Sequence, residues 1–258
     1  MTQSVMRFLL ALLLPGVAAG ACKEVRILTY NIHHGEGIDG KFDLARIAKV
    51  IRQSRADIVA LQEVDQRTKR IGGVDTLATL AELTKRRPVF GRSMAFDGGE
   101  YGNALLVRGT ILRHSVHPIP ASFGREPRSI LRAEVRLKGC KHPMLVMATH
   151  WDNESQVDRL AGAALANQLA NESPELPALL AGDFNANPSN AAVKLLSGTW
   201  MISGAGVPLH TYPVAAPKVQ IDYILARPGS AWTVRDAQVL PEILASDHRP
   251  LLARLRLY

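Results

Sequence analysis

Apolar positions along this chain follow two rhythms. Alternation and short apolar runs predict strands over 24–32 ("EVRILTYNI"), 56–64 ("ADIVALQEV"), 102–108, 111–119, 129–137, 143–150 ("PMLVMATH"), 177–185 ("PALLAGDFN"), 219–227 ("VQIDYILAR"), 232–240 and 249–257. A 3.6-residue rhythm predicts helices over 43–54, 76–84 and 155–170. In the first, Asp43 is placed to cap and Leu44, Ile47, Val50 and Ile51 share a face. In the third, Val157, Leu160, Ala161, Ala164, Leu165 and Leu169 fall on one side. Pro188 is expected to start a short fourth helix through 190–196, and Lys138 to Lys141 form a turn. Roughly eleven strands and four helices result, without strict strand–helix alternation. The middle strands read as antiparallel hairpins. This pattern predicts an α/β fold of two packed, mixed, largely antiparallel sheets with helices outside, rather than one doubly wound sheet. No repeat, low-complexity tract or linker interrupts it, so one domain is expected over 22–258.

Residues 1–21 break the pattern. They carry one charge, Arg7, then the apolar run "FLLALLLPGVAAGA", too short to span a bilayer comfortably and closed by Ala19 and Ala21. A secretory signal peptide is expected there; an N-terminal membrane anchor is the alternative. Export to the periplasm or medium follows in either case. In an oxidising compartment the two cysteines, Cys22 and Cys140, suggest one disulfide. "AAGAC" also loosely resembles a lipobox, which would acylate Cys22 and leave Cys140 unpaired. The formal charge is +8, or +7 without Arg7, and points to anionic partners such as nucleic acid, phospholipid headgroups or phosphate esters. No run of like charges makes a basic tail, and no obligate protein partner is evident; a monomer is expected.

Polar residues recur where apolar strands end. Asn31 ends the first strand. Glu63 follows the buried run 58–61, His150 and Asp152 flank Trp151, Asp222 sits within "IDYIL", and Asp247 and His248 open the last strand. In "GDFN" strand alternation would put Asp183 and Asn185 on one face and Phe184 on the other. Each residue alone has a plain structural explanation. Together they form an oxygen-rich set with two histidines, suited to Mg2+ or Mn2+ and to phosphate ester hydrolysis. His33 and His34 are adjacent, so their side chains diverge and a shared metal is not expected.

"LTYNI", "ALQEV", "YGNALL", "THWD", "GDFN", "IDYIL" and "SDHRP" occur in the order and spacing of the endonuclease/exonuclease/phosphatase superfamily, and the chain resembles it from about residue 25 to 257. The resemblance implies a four-layer α/β/β/α sandwich. It also implies that Glu63, helped by Asn31 and Asp247, holds the metal. Asp183 would orient or deprotonate the attacking water beside Asn185, and Asp222 would orient His248. His248 and His150 would contact the scissile phosphate, and Tyr101, Asn103 and Arg128 the substrate. "THWD" departs from the commoner Thr-His-Leu, which leaves Asp152 without a role. "TYNIHHGEG" and "DGGEYGNALL" look most like small bacterial members related to the C-terminal domain of eukaryotic GPI-lipid remodelling proteins. The expected activity is Mg2+-dependent phosphodiester hydrolysis, with the charge favouring a nuclease over a phospholipid or small-molecule phosphodiesterase. A non-catalytic binding module is the other class, and the intact acidic set argues against it.

Overall fold

The computed structural model describes residues 24–258; the predicted signal segment and Cys22 lie outside that range. Among the described residues are twelve strands and four α-helices. One sheet has the order β11-β12-β1-β2-β4-β3 and the other β5-β6-β7-β8-β10-β9. The first is built from β1 (Val25–Asn31), β2 (Ile58–Gln66), β3 (Arg87–Phe96), β4 (Gly99–Val107), β11 (Trp232–Val239) and β12 (Leu251–Leu257). The second is built from β5 (Gly109–Pro118), β6 (Ser129–Leu137), β7 (Met144–His150), β8 (Ala178–Asp183), β9 (Met201–Ile202) and β10 (Asp222–Arg227).

Three apolar clusters separate four layers. Ile27, Ala60, Leu105, Leu131, Val146, Leu179, Ile224 and Ala253 pack between the sheets. Leu28, Leu61, Leu106 and Leu252 face α1 (Leu44–Ser54) and α2 (Thr76–Thr84). Met147, Leu180, Phe184 and Tyr223 face α3 (Gln156–Asn171) and α4 (Ala191–Ser197). The fold is the α/β/β/α sandwich expected from sequence.

Each sheet contains one parallel pair at its centre, made by a helical crossover. The first pairs β1 with β2 through α1, the second β7 with β8 through α3. All other pairings are antiparallel. The carboxyl ends of both parallel pairs therefore lie at one end of the sandwich, where α/β sheets collect ligands.

Several local expectations are corrected. β3 and the two-residue β9 were not predicted. α4 is capped by Asn190, which accepts from the amide of Ala192, and begins after Pro188 rather than at it. α3 buries Gly162, Ala163, Ala166, Leu169 and Ala170, while Val157 is 71% exposed. The cause is close approach: a β-carbon on Gly162 would sit 2.8 Å from the Trp151 indole nitrogen. Small residues, not the larger apolar ones, fit that gap. α1 is capped as predicted, by Asp43 accepting from the amides of Ala45 and Arg46.

Candidate active site

Strand alternation explains how the site is assembled. On β1, Val25, Ile27 and Thr29 point between the sheets, and Asn31 is next in that series. Leu179 and Ala181 lead to Asp183 on β8 in the same way. Val146 and Ala148 lead to His150 on β7, and Ala226 and Ile224 lead back to Asp222 on β10. The inter-sheet core thus runs out of apolar residues at one end and continues in polar ones.

Glu63 breaks this rule. Alternation would send it outward with Val59 and Leu61. A bulge between Leu61 and Val64 intervenes, and Glu63 adopts a left-handed backbone (φ 57). Its Oε1 then accepts from Asn31 Nδ2 at 2.9 Å. The same Nδ2 donates to Asp183 Oδ2 at 3.1 Å, a hydrogen bond that joins the two sheets. Asp247 reaches this side through Ser246, whose hydroxyl donates to the Asn31 carbonyl (2.7 Å) and lies 3.3 Å from Asp247 Oδ1.

Asp183 is also near two histidines: His150 Nε2 at 3.5 Å and His248 Nε2 at 3.6 Å. His248 Nδ1 donates to Asp222 Oδ2 at 2.9 Å. His248 does not open β12 as expected; it lies in the loop before it. Arg128, buried, donates through Nη1 to His150 Nδ1 at 2.7 Å. A guanidinium has no acceptor, so Nδ1 accepts, and a neutral ring keeps its proton on Nε2, facing Asp183.

"GDFN" sets Asp183 and Asn185 together and Phe184 apart as expected, but not as continuous strand. Asn185 lies past β8 in a left-handed conformation (φ 47), its amide donating to Asp183 Oδ1 at 2.9 Å. Its Nδ2 donates to the Trp151 carbonyl at 2.9 Å and also lies 3.0 Å from His150 Nε2, a contact between two donors while that nitrogen carries the ring proton. Phe184 is fully buried on the other face, stacked 4.1 Å from Trp151 and 5.0 Å from Tyr223.

Burial and neighbouring charge set the two histidines apart. Burial, then Arg128 and His248, push His150 well below its ordinary value, so it is neutral. Burial opposes charge on His248 too, but Asp222 and Asp183 outweigh it and raise its pKa to about 10. Asp183 is raised by burial and by Asp222, which makes it a stronger base than an exposed carboxylate.

Other predicted residues take less direct places. Tyr101 is buried, with Arg70 over the Phe96 ring 4.7 Å away beside it. Asn103 donates to the Ser129 carbonyl at 3.0 Å, a tie between β4 and β6. Arg128 is committed to His150 and to Glu126 at 3.2 Å. Asp152 accepts from Arg125 and from the amides of Glu154 and Ser155, which organises the entry to α3. His33 and His34 both have left-handed backbones, and His33 donates its amide to Asn31 Oδ1 at 3.1 Å, supporting that side chain.

Residues 28–248 match the Endonuclease/Exonuclease/phosphatase family. The chain belongs to that family. Members of the Endonuclease/Exonuclease/phosphatase family are phosphoester hydrolases that depend on divalent metals and act on phosphate-ester substrates such as nucleic acids. The chain is 28% identical over 245 residues to the protein YbhP of Escherichia coli (strain K12), covering 90% of this chain and 96% of YbhP. The crystal structure of an endonuclease/exonuclease/phosphatase from Beutenbergia cavernae DSM 12333 superposes with a TM-score of 0.76 at 26% identity, covering 91% of this chain and 72% of that one. A mannosyl-6-phosphatase from Bacteroides thetaiotaomicron VPI-5482 shares the fold at 18% identity (TM-score 0.74, 90% and 99% covered). Family membership makes this chain an enzyme acting on phosphate ester bonds.

Two donor groups fit a metal differently. Glu63 and Asp247 offer carboxylate oxygens with no thiolate, the donor chemistry of a hard divalent ion, while Asn31 turns its Nδ2 toward Glu63 and its Oδ1 toward the His33 amide. Asp183, Asp222 and His248 also have ligand atoms within 4.8 Å of one another.

Proposed function

We propose that the chain is an exported, monomeric, Mg2+-dependent phosphodiesterase. The observation that carries this reading is the chain of contacts from Glu63 through Asn31 and Asp183 to His248 and Asp222. A divalent ion on Glu63, Asn31 and Asp247 would neutralise charge on the phosphate. Asp183 takes a proton from water as the water oxygen bonds to phosphorus and the ester P–O bond breaks. The leaving oxygen is protonated from solvent. His248, cationic, and His150, through Nε2–H, stabilise the charge that develops on the phosphoryl oxygens.

Part of the positive charge lies at the end of the molecule remote from the site. Lys85, Arg87, Arg108, Arg136 and Lys138 line a cavity of about 570 Å3 at the opposite end of the strands, and none of them pairs with a carboxylate of the described residues.

Hydrolysis of bis-p-nitrophenyl phosphate with Mg2+ tests the reading. Glu63→Gln should lose most activity, with partial recovery at high Mg2+ or Mn2+. Full activity of that variant at low metal would remove Glu63 from the metal site. N-terminal sequencing of protein from the periplasm tests export; an intact residue 1 there refutes signal cleavage.

A further inference from the structure

Several large apolar side chains are exposed around the catalytic end. Ile38 (53% exposed) lies on a hairpin closed by the Glu36–Phe42 bridge, a few residues after Asn31. Its amide donates to the carbonyl of Leu244, so it meets Ile243 (58%) and Leu244 (38%), which directly precede Asp247. Next along the rim, the Val214 amide donates to the Asp247 carbonyl, and Arg249 Nε to the Val214 carbonyl. That contact brings in a second hairpin, where Tyr212 (38%) bridges Val219 (39%) and lies 5.0 Å from the His248 ring. Across the site, the loop between β5 and β6 carries Phe123, fully exposed, two residues before Arg125. Four separate chain segments thus raise apolar side chains beside the catalytic groups.

Scattered exposed apolar residues need no explanation, but a contiguous set bordering a site does. Two unpaired, exposed lysines stand among them: Lys41 on the first hairpin and Lys218 on the second. Apolar side chains flanked by lysines are the composition of an interfacial surface, in which the apolar groups enter the acyl boundary and the cations stay at the headgroups. A cavity of about 460 Å3 also opens on the flank of the second hairpin, lined by Val219, Val207, Val193 and Ile202 among others. Its size and apolar walls suit a hydrocarbon chain.

We propose that this rim docks the enzyme on a lipid surface and that its substrate is the phosphodiester of an anionic phospholipid headgroup. The proposal rests on the phosphodiesterase reading and adds the substrate class to it. The rim then brings the headgroup phosphate to Asp183 and His248 without drawing the lipid out of the bilayer.

The experiment has two arms. In the first, the full exported chain in EDTA is co-sedimented with vesicles of phosphatidylglycerol and phosphatidylcholine. The native protein should bind. Ile38→Ser with Ile243→Ser should bind roughly ten-fold more weakly or worse, as expected for removing two partly exposed aliphatic groups from an interface. Phe123→Ser, at a fully exposed position that cannot unsettle the fold, should weaken binding in the same direction. In the second arm, with Mg2+, hydrolysis of vesicle phosphatidylglycerol should fall in parallel in both variants, while hydrolysis of bis-p-nitrophenyl phosphate stays at the native rate. Native protein that does not bind vesicles overturns the proposal. So do variants that bind and hydrolyse as the native does, or cleavage of a DNA oligonucleotide without cleavage of lipid. Absence of bis-p-nitrophenyl phosphate hydrolysis by the native protein is a different result: it refutes the phosphodiesterase reading itself.

Discussion

Replacing Asp222 by asparagine tests the proton arrangement most directly. In the native chain Asp222 Oδ2 accepts from His248 Nδ1 at 2.9 Å, and both groups are buried. Asparagine keeps the shape and removes the charge. A hydrogen bond to a charged partner contributes about 1.5–3 kcal/mol, so kcat should fall roughly 10- to 100-fold. His248→Ala removes the cation itself and should cost roughly 100-fold or more, with little change in KM. The double variant should be little worse than His248→Ala, because the two residues act as a unit. The pH profile gives a second reading. Burial disfavours the His248 cation, but Asp222 and Asp183 raise its pKa to about 10. The active, protonated form is therefore present below that value and lost as pH rises through it. Without the Asp222 charge the pKa falls, so the alkaline limb of kcat should move from near pH 10 toward neutrality. The assay is a pH series of kcat on bis-p-nitrophenyl phosphate at saturating metal. An unmoved alkaline limb, with losses that multiply in the double variant, would show that Asp222 serves only the strand it begins.

Three further outcomes are expected. Phe184→Ala should destabilise by about 3–5 kcal/mol, because the ring is fully buried between Trp151 and Tyr223; urea unfolding measures it, and a loss below 1 kcal/mol would contradict the packing. Gly182→Ala should cost about 1–3 kcal/mol, since a β-carbon there would stand 2.0 Å from the backbone oxygen of Thr149 on the paired strand; an unchanged thermal midpoint would argue against that register. Cys22 and Cys140, the two cysteines of the sequence, are expected to pair; exported protein unfolded without reductant should then show no free thiol, and reduction should cost roughly 2–4 kcal/mol. A titratable thiol or a diacylglyceryl mass on Cys22 would refute the pairing.

The site was legible where side-chain direction follows from strand period alone. Asn31, His150, Asp183 and Asp222 each continue an inward-facing apolar series, and a period of two can be read along one segment. Glu63 was legible as a residue but not in its geometry, because a bulge depends on the partner strand β4. The contact between Arg128 and His150 joins residues 22 apart, and nothing local signals it. The face of α3 was read in part: Leu160, Ala161, Leu165 and Leu169 pack on the core as expected, but Gly162, Ala163 and Ala166 were missed because alanine and glycine carry little apolar contrast. β3, "RPVFGRSMAF", alternates poorly because it is an edge strand with several exposed positions.

Glu63 and Asn31 stand on one sheet, His150, Asp183 and Asp222 on the other, and the hydrogen bond from Asn31 to Asp183 crosses directly between them. The separation of the two halves is therefore gauged by the filling behind them, where Ala60, Ala148 and Ala181 lie fully buried near the catalytic end. These alanines act as shims. A single added methyl group there would wedge the sheets apart and lengthen the Asn31–Asp183 distance while leaving every polar residue in place. Activity is thus exposed to substitutions that touch no substrate, and the same positions offer a lineage a way to widen or narrow its cleft in small steps without redesigning its chemistry.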